Sequence, residues 1–130
     1  MPFAAAIDAD VAVVMVGHLA FPRIDETGLP AIISPTLIDG LLRQQLGFDG
    51  VVMTDALDMG AVSDIPQDQL VVESVLAGAD IMLMSARPQE AYNGLIAAVQ
   101  DGRISQERLD ASVTRILRLK QGLGLLPPTR

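Results

Sequence analysis

The sequence contains no cysteine, one histidine, one tyrosine and three phenylalanines among its 130 residues. Without cysteine there is no disulfide, no zinc–thiolate centre and no thiol nucleophile. Such a chain fits, without requiring, a reducing compartment such as the cytoplasm. Aromatic residues make up 3% of the chain against 50% for hydrophobic residues as a whole. The core must therefore be built from Ala, Val, Ile, Leu and Met, which favours packed helices and buried strands over an aromatic binding face. Basic residues are also scarce: nine Lys and Arg against sixteen Asp and Glu give a net charge of −7. Binding a phosphate backbone needs clustered cations, so this balance argues against a nucleic-acid partner. No apolar run approaches the roughly 20 residues that span a bilayer, so no membrane role is expected. The first residues lack a basic region followed by a long apolar run, the pattern of a signal peptide.

Chemical signatures are missing too. The glycines form neither a G-x-G-x-x-G nor a G-x-x-x-x-G-K-[ST] pattern, so no dinucleotide or NTP cradle is expected. No serine sits in a G-x-S-x-G elbow. A single histidine with no cysteine leaves only carboxylates as metal ligands, without a recognisable spacing. No metal and no cofactor is expected.

What is present is a repeated alternation. Residues 11–16 (VAVVMV), 51–54 (VVMT) and 81–84 (IMLM) are short apolar runs suited to strands buried on both faces of a parallel sheet. Residues 3–8 read as the tail of a helix. A polar, Pro-containing stretch covers 17–34. Ser34-Pro35 then opens a helix that carries Leu37, Ile38, Leu41, Leu42 and Leu46 and stops at Gly47. A loop spans 55–65, and helices follow over 66–77 (stopped by Gly78), 88–100 and 105–121. The last helix presents Leu109, Val113, Ile116 and Leu117 on one face, and Gly122, Gly124, Pro127 and Pro128 end it. A faint internal repeat runs through the chain: GFDGVVM at 47–53 and GADIMLM at 78–84, with a looser copy at 10–15. Each is a helix stop, an acidic residue and an apolar strand. Repeated βα units imply parallel strands joined by right-handed crossovers, as in a doubly wound sheet or part of a (β/α)8 barrel.

In both folds ligands bind at the C-terminal ends of the strands. The residues just past each run are Gly17-His18, Asp55 and Ser85, and these should share one rim. Asp55 is either a turn aspartate or a functional acid. His18 is either a hydrogen-bonded structural residue or a site residue. Asp25, Asp58 and Arg23, in the long loops, read as solvated. Met53, Met59, Met82 and Met84 read as core or pocket filler.

The combined pattern is more specific. VMVGH at 14–18, Pro22 and Asp25, PA at 30–31, SP at 34–35, LLR at 41–43, LGFDGVV at 46–52 and TDALDMGA at 54–61 stand in an order and spacing that resemble glycoside hydrolase family 3. The GAD strand start at 78–80 and the closing RILRLK at 115–120 are similar as well. The resemblance covers essentially the whole chain. It implies a TIM-type barrel, of which residues 1–130 would be the C-terminal portion: the last three strands and their helices, with the N-terminal portion outside this sequence. It implies that Asp55 is the catalytic nucleophile, that His18 lies near the sugar, and that Met59 lies beside the glycone. Many members have a second Asp after the nucleophile; this chain has Ala56. The most similar branch has β-N-acetylhexosaminidase activity. Its Lys-His sugar-binding segment and the Asp-[ST]-His loop bearing its acid/base histidine are not in this sequence. The implied partner is a β-glycoside substrate. A half-barrel implies self-association or pairing with the remaining half. The rival reading is a non-catalytic half-barrel module; a weaker one is a flavodoxin-like domain, against which Gly17 to Pro22 is too apolar for a phosphate loop.

Overall fold

The computed structural model describes residues 2–126. Helix α1 (Pro2–Asp8) leads into strand β1 (Val13–Val16). After a long loop, a π-helix (Thr36–Gln45) runs back to strand β2 (Val51–Ala56). Helix α2 (Gln67–Ala77) connects to β3 (Ile81–Leu83), and α3 (Pro88–Gln100) and α4 (Gln106–Gly122) complete the chain. The strands form one parallel sheet in the order β1-β2-β3. The expected α/β arrangement of three βα repeats is therefore present. Pro127 and Pro128, expected to close the last helix, lie outside the described residues.

The internal repeat has a backbone counterpart. Asp10, Gly47 and Gly78 all adopt positive φ, at 57°, 72° and 120°. Each lies three or four residues upstream of its strand, where a helix must turn sharply into the sheet. At Gly78 a side chain is excluded twice over, because a Cβ would also lie 2.8 Å from the Ile38 side chain.

Two apolar clusters flank the sheet. Ile38, Leu42, Phe48, Val52 and Ala77 pack the π-helix against it. In the second, Ile32, Leu57, Val62, Leu70, Val71 and Ile104 join α2 to the sheet. The helix expected over 35–46 is present, but wound differently. Leu46 N–H donates to the Leu41 carbonyl, five residues back, at 3.0 Å. Ser34 still serves its start: its Oγ accepts from Leu37 N–H at 3.1 Å.

Three packing expectations need correction. The runs at 11–16 and 81–84 were expected to be strands buried on both faces, but β1 and β3 are only partly covered, and Met15 and Met84 are exposed. Among the described residues each strand pairs with β2 alone, so its outer ladder and part of its apolar surface lack a neighbour there. For the same reason Leu109, Val113 and Leu117 on α4 are exposed rather than facing a core. Met59 is exposed too, so it fills no core.

Below the sheet, at the N-terminal ends of β2 and β3, a charged cluster ties the elements together. The Asp80 side chain is fully buried. It accepts from Arg43 at 2.6 Å and from Val52 N–H at 3.0 Å, and Ser112 donates to its other oxygen. Arg108 and Arg115 approach that oxygen at 3.6 and 3.4 Å. Arg43 also donates to the carbonyls of Phe48 and Gly50, and Arg108 to those of Val75 and Ala79. Burial pulls the Arg43 and Arg108 guanidiniums below their ordinary range, against the opposing pull of Asp80.

Candidate functional site

The opposite, C-terminal ends of the strands carry the candidate site. Val16 pairs with Thr54, so the residues just beyond β1 and at the end of β2 lie side by side. His18 and Asp55 meet there: His18 Nδ1 is 3.9 Å from Asp55 Oδ2. That is an ion-pair approach, longer than a hydrogen bond. The His18 side chain is 6% exposed and that of Asp55 38%. Asp55 Oδ1 accepts from the following amide, Ala56 N–H, at 2.7 Å. One carboxylate oxygen is thus held by the backbone while the other looks across to the histidine. His18 Nε2 is buried and has no hydrogen-bond partner. A buried polar nitrogen without a partner is costly, so this atom is free to take a ligand group.

Asp55 lies inside β2 rather than in the loop after it. On β2 the register moves from Met53 to Ala56 while on β3 it moves only from Ile81 to Leu83. The extra residue is a bulge over Thr54 and Asp55, the kind of irregularity that re-aims a side chain. Thr54 is fully buried, and its Oγ1 accepts from Leu83 N–H at 3.1 Å. Three residues on, the Leu57 carbonyl accepts from Nε2 of Gln67, at the start of α2, at 3.1 Å. Ser85 donates to Gln67 Oε1 at 2.6 Å. The third expected rim residue therefore joins the site's support through Gln67. Met59 stands three residues beyond β2 with its side chain exposed.

Asp25 departs from the solvated loop carboxylate expected of it. It is buried and accepts from the Ser34 hydroxyl and from both the hydroxyl and the N–H of Thr27. Those bonds, Ser34's first, hold its pKa below the ordinary 3.8. It pins the loop between β1 and the π-helix. Asp58 and Arg23 are exposed, as expected. Sequence reasoning missed Thr54 and Gln67, whose partners lie 29 and 10 residues away. Among the described residues no three His, Asp or Glu side chains gather as metal ligands, and no helix is long and apolar enough to cross a membrane.

Comparison with known proteins gives a consistent picture. The model for the glycosyl hydrolase family 3 N-terminal domain matches residues 1–119. A β-N-acetylglucosaminidase/β-glucosidase of Cellulomonas fimi is 40% identical over 95% of this chain and 24% of its own length. β-Hexosaminidase A of Pseudoalteromonas piscicida is 34% identical over the same share of this chain and 24% of its own length. Among solved structures, the glycoside hydrolase family 3 β-N-acetylglucosaminidase from Paenibacillus sp. str. FPU-7 superposes with a TM-score of 0.92 at 44% identity, covering 99% of this chain and 25% of that one. The chain thus spans about a quarter of the relatives it matches, and its three parallel strands correspond to part of their barrel domain.

Proposed function

This chain belongs to the glycosyl hydrolase family 3 N-terminal domain family, and from that membership we propose that it is the nucleophile-bearing portion of a retaining glycosidase acting on β-N-acetylglucosaminide-type substrates. The observation that carries the reading is Asp55, set on a bulge at the C-terminal end of the central parallel strand and facing His18 at 3.9 Å. The names of the Cellulomonas fimi and Paenibacillus relatives support the sugar class.

An aspartate is suited to the task because it is ionised at neutral pH and departs readily as a carboxylate. With Oδ1 held by Ala56 N–H, Oδ2 attacks the anomeric carbon as the glycosidic C–O bond breaks. A second group protonates the departing oxygen, and the same group then takes a proton from the water that hydrolyses the glycosyl ester. In the usual two-carboxylate form the two groups stand about 5–5.5 Å apart. His18 is a poor candidate for that group, because a side chain 6% exposed cannot follow a leaving oxygen into solvent. Its unpartnered Nε2 suits a fixed hydrogen bond to a sugar hydroxyl, and Met59 offers an apolar thioether beside the glycone. The acid/base group belongs to the preceding portion of the barrel.

The test is a barrel completed by co-producing this chain with the portion that precedes the matching quarter of the Paenibacillus enzyme. Asp55→Asn should lower turnover of an aryl N-acetylglucosaminide by several orders of magnitude with the fold intact. An Asp55→Asn barrel as active as its parent refutes the assignment.

A second reading concerns the chain alone. Both β1 and β3 are edges, and an apolar groove lined by Phe3, Val14, Met15, Phe21, Ile24 and Leu41 runs along the β1 side. Unpaired strand edges beside apolar surface recruit further strands. The isolated chain is therefore a self-associating half-barrel that pairs with copies of itself until the rest of a barrel covers those edges.

A further inference from the structure

We propose that Thr54 is a positioning residue whose hydroxyl sets the aim of Asp55, by bracing the β2 bulge against β3. The proposal rests on the nucleophile reading above and deepens it.

In a regular parallel ladder, each N–H facing a neighbouring strand is met by a carbonyl of that strand. Between Met53 and Ala56, β2 carries one residue more than β3 needs. The ladder resumes at Leu57, whose N–H donates to the Leu83 carbonyl at 2.9 Å. Leu83 N–H donates to Thr54 Oγ1 at 3.1 Å, a side-chain tie from β3 to the bulge. The Thr54 side chain is thus part of the sheet's hydrogen-bonding, in a site with no exposure to solvent. Water cannot replace it there, so losing the hydroxyl removes this bond from the bulge outright.

The next residue is Asp55. Side chains along a strand alternate faces, and an inserted residue resets that alternation. With the hydroxyl in place, the bulge turns Asp55 toward the rim and toward His18. Without it, β3 loses its side-chain hold on the bulge, and the bulge relaxes and carries the Asp55 carboxylate off line. The far side of the bulge is fixed independently, where Gln67 grips the Leu57 carbonyl and is itself held by Ser85. Movement is therefore confined to Thr54 and Asp55. A serine keeps the acceptor; a valine keeps the shape and loses it.

The experiment compares Thr54→Ser, Thr54→Val and Asp55→Asn in the completed barrel, with hydrogen exchange at the Leu83 amide followed in the 130-residue chain. Thr54→Val is expected to lower kcat about 10–100-fold with KM little changed, since misplacing a reacting group by about 1 Å costs that much. Its Leu83 amide should exchange faster. Thr54→Ser should restore both kcat and amide protection. A purely structural role would lower the amount of folded enzyme while leaving the kcat of the folded fraction, determined by active-site titration, unchanged. That result overturns the proposal, as does a slow Leu83 amide in Thr54→Val. If Asp55→Asn is inactive while Thr54→Val is fully active, the brace fails and the nucleophile stands. If Asp55→Asn is active, the nucleophile reading itself fails.

Discussion

Replacing Asp80 by asparagine should be among the most damaging single changes to this fold, although it lies at the end of the sheet away from the site. The substitution preserves size and one acceptor but removes the only fully buried negative charge in the cluster of Arg43, Arg108 and Arg115. Asp49, the other acid paired with an arginine of the cluster, is 77% exposed and meets Arg115 at 3.3 Å. Three guanidiniums would then face each other with no interior counter-charge. Removing one partner of a buried ion pair costs about 3–5 kcal/mol, mostly for the charge left behind. Against a total stability of about 5–15 kcal/mol, that is roughly a fifth or more of the whole. With the unfolding entropy typical per residue, the thermal midpoint of a 130-residue domain should fall by roughly 10–18 °C. Asp49→Asn is the matched control, because an exposed pair contributes under about 1 kcal/mol. Circular dichroism melts of parent, Asp80→Asn and Asp49→Asn at one low concentration measure the difference. If the two variants melt together, the cluster is not the clasp that the geometry implies.

Three further outcomes follow from the same coordinates. Because hydrogen bonds depress the Asp25 pKa in the folded chain, its contribution to stability is present above the ordinary 3.8 and is lost as pH falls through the lower folded value; Ser34→Ala should flatten that acid limb in pH-dependent melts, and an unchanged limb would count against it. Light scattering of the isolated chain should show mass rising with concentration, and a steady monomer across a wide range would contradict the edge argument. The isolated chain should fail to release phenol from an aryl N-acetylglucosaminide even when the phenol is very acidic. Lost general acid catalysis is worth about 10²–10⁴-fold and lost positioning about 7–11 kcal/mol, and an acidic phenol relieves only the first. Robust turnover by the chain alone would place a second catalytic group within it, with His18 the first to test.

The order of strands and helices was legible because each apolar run is bounded by a stop the backbone requires, at Asp10, Gly47 and Gly78. The shared rim of His18 and Asp55 was legible for a related reason: parallel strands in register bring their C-terminal ends together. The bulge was not, because it depends on how β2 registers against β3, and 29 residues separate Thr54 from its partner. Asp25 read as solvated because nothing local reveals that Ser34, nine residues later, folds back onto it. The π-winding was invisible for a different reason. Leu37, Leu41, Leu42 and Leu46 satisfy a turn of 3.6 residues and a wider one almost equally.

The strand that bears Asp55 is the middle one, and among the described residues it is the only strand paired on both sides. The carboxylate, its bulge and its bracing side chains are therefore set by local neighbours, while the open edges lie one strand away on either side. Closing a barrel around this unit would add walls without re-forming the strand that carries the proposed nucleophile. On that proposal, a molecule divided this way could be taken apart and rejoined at its seams, and the chain would serve as one part of a split reporter: silent alone, and switched on by whatever brings its complement to the exposed edges.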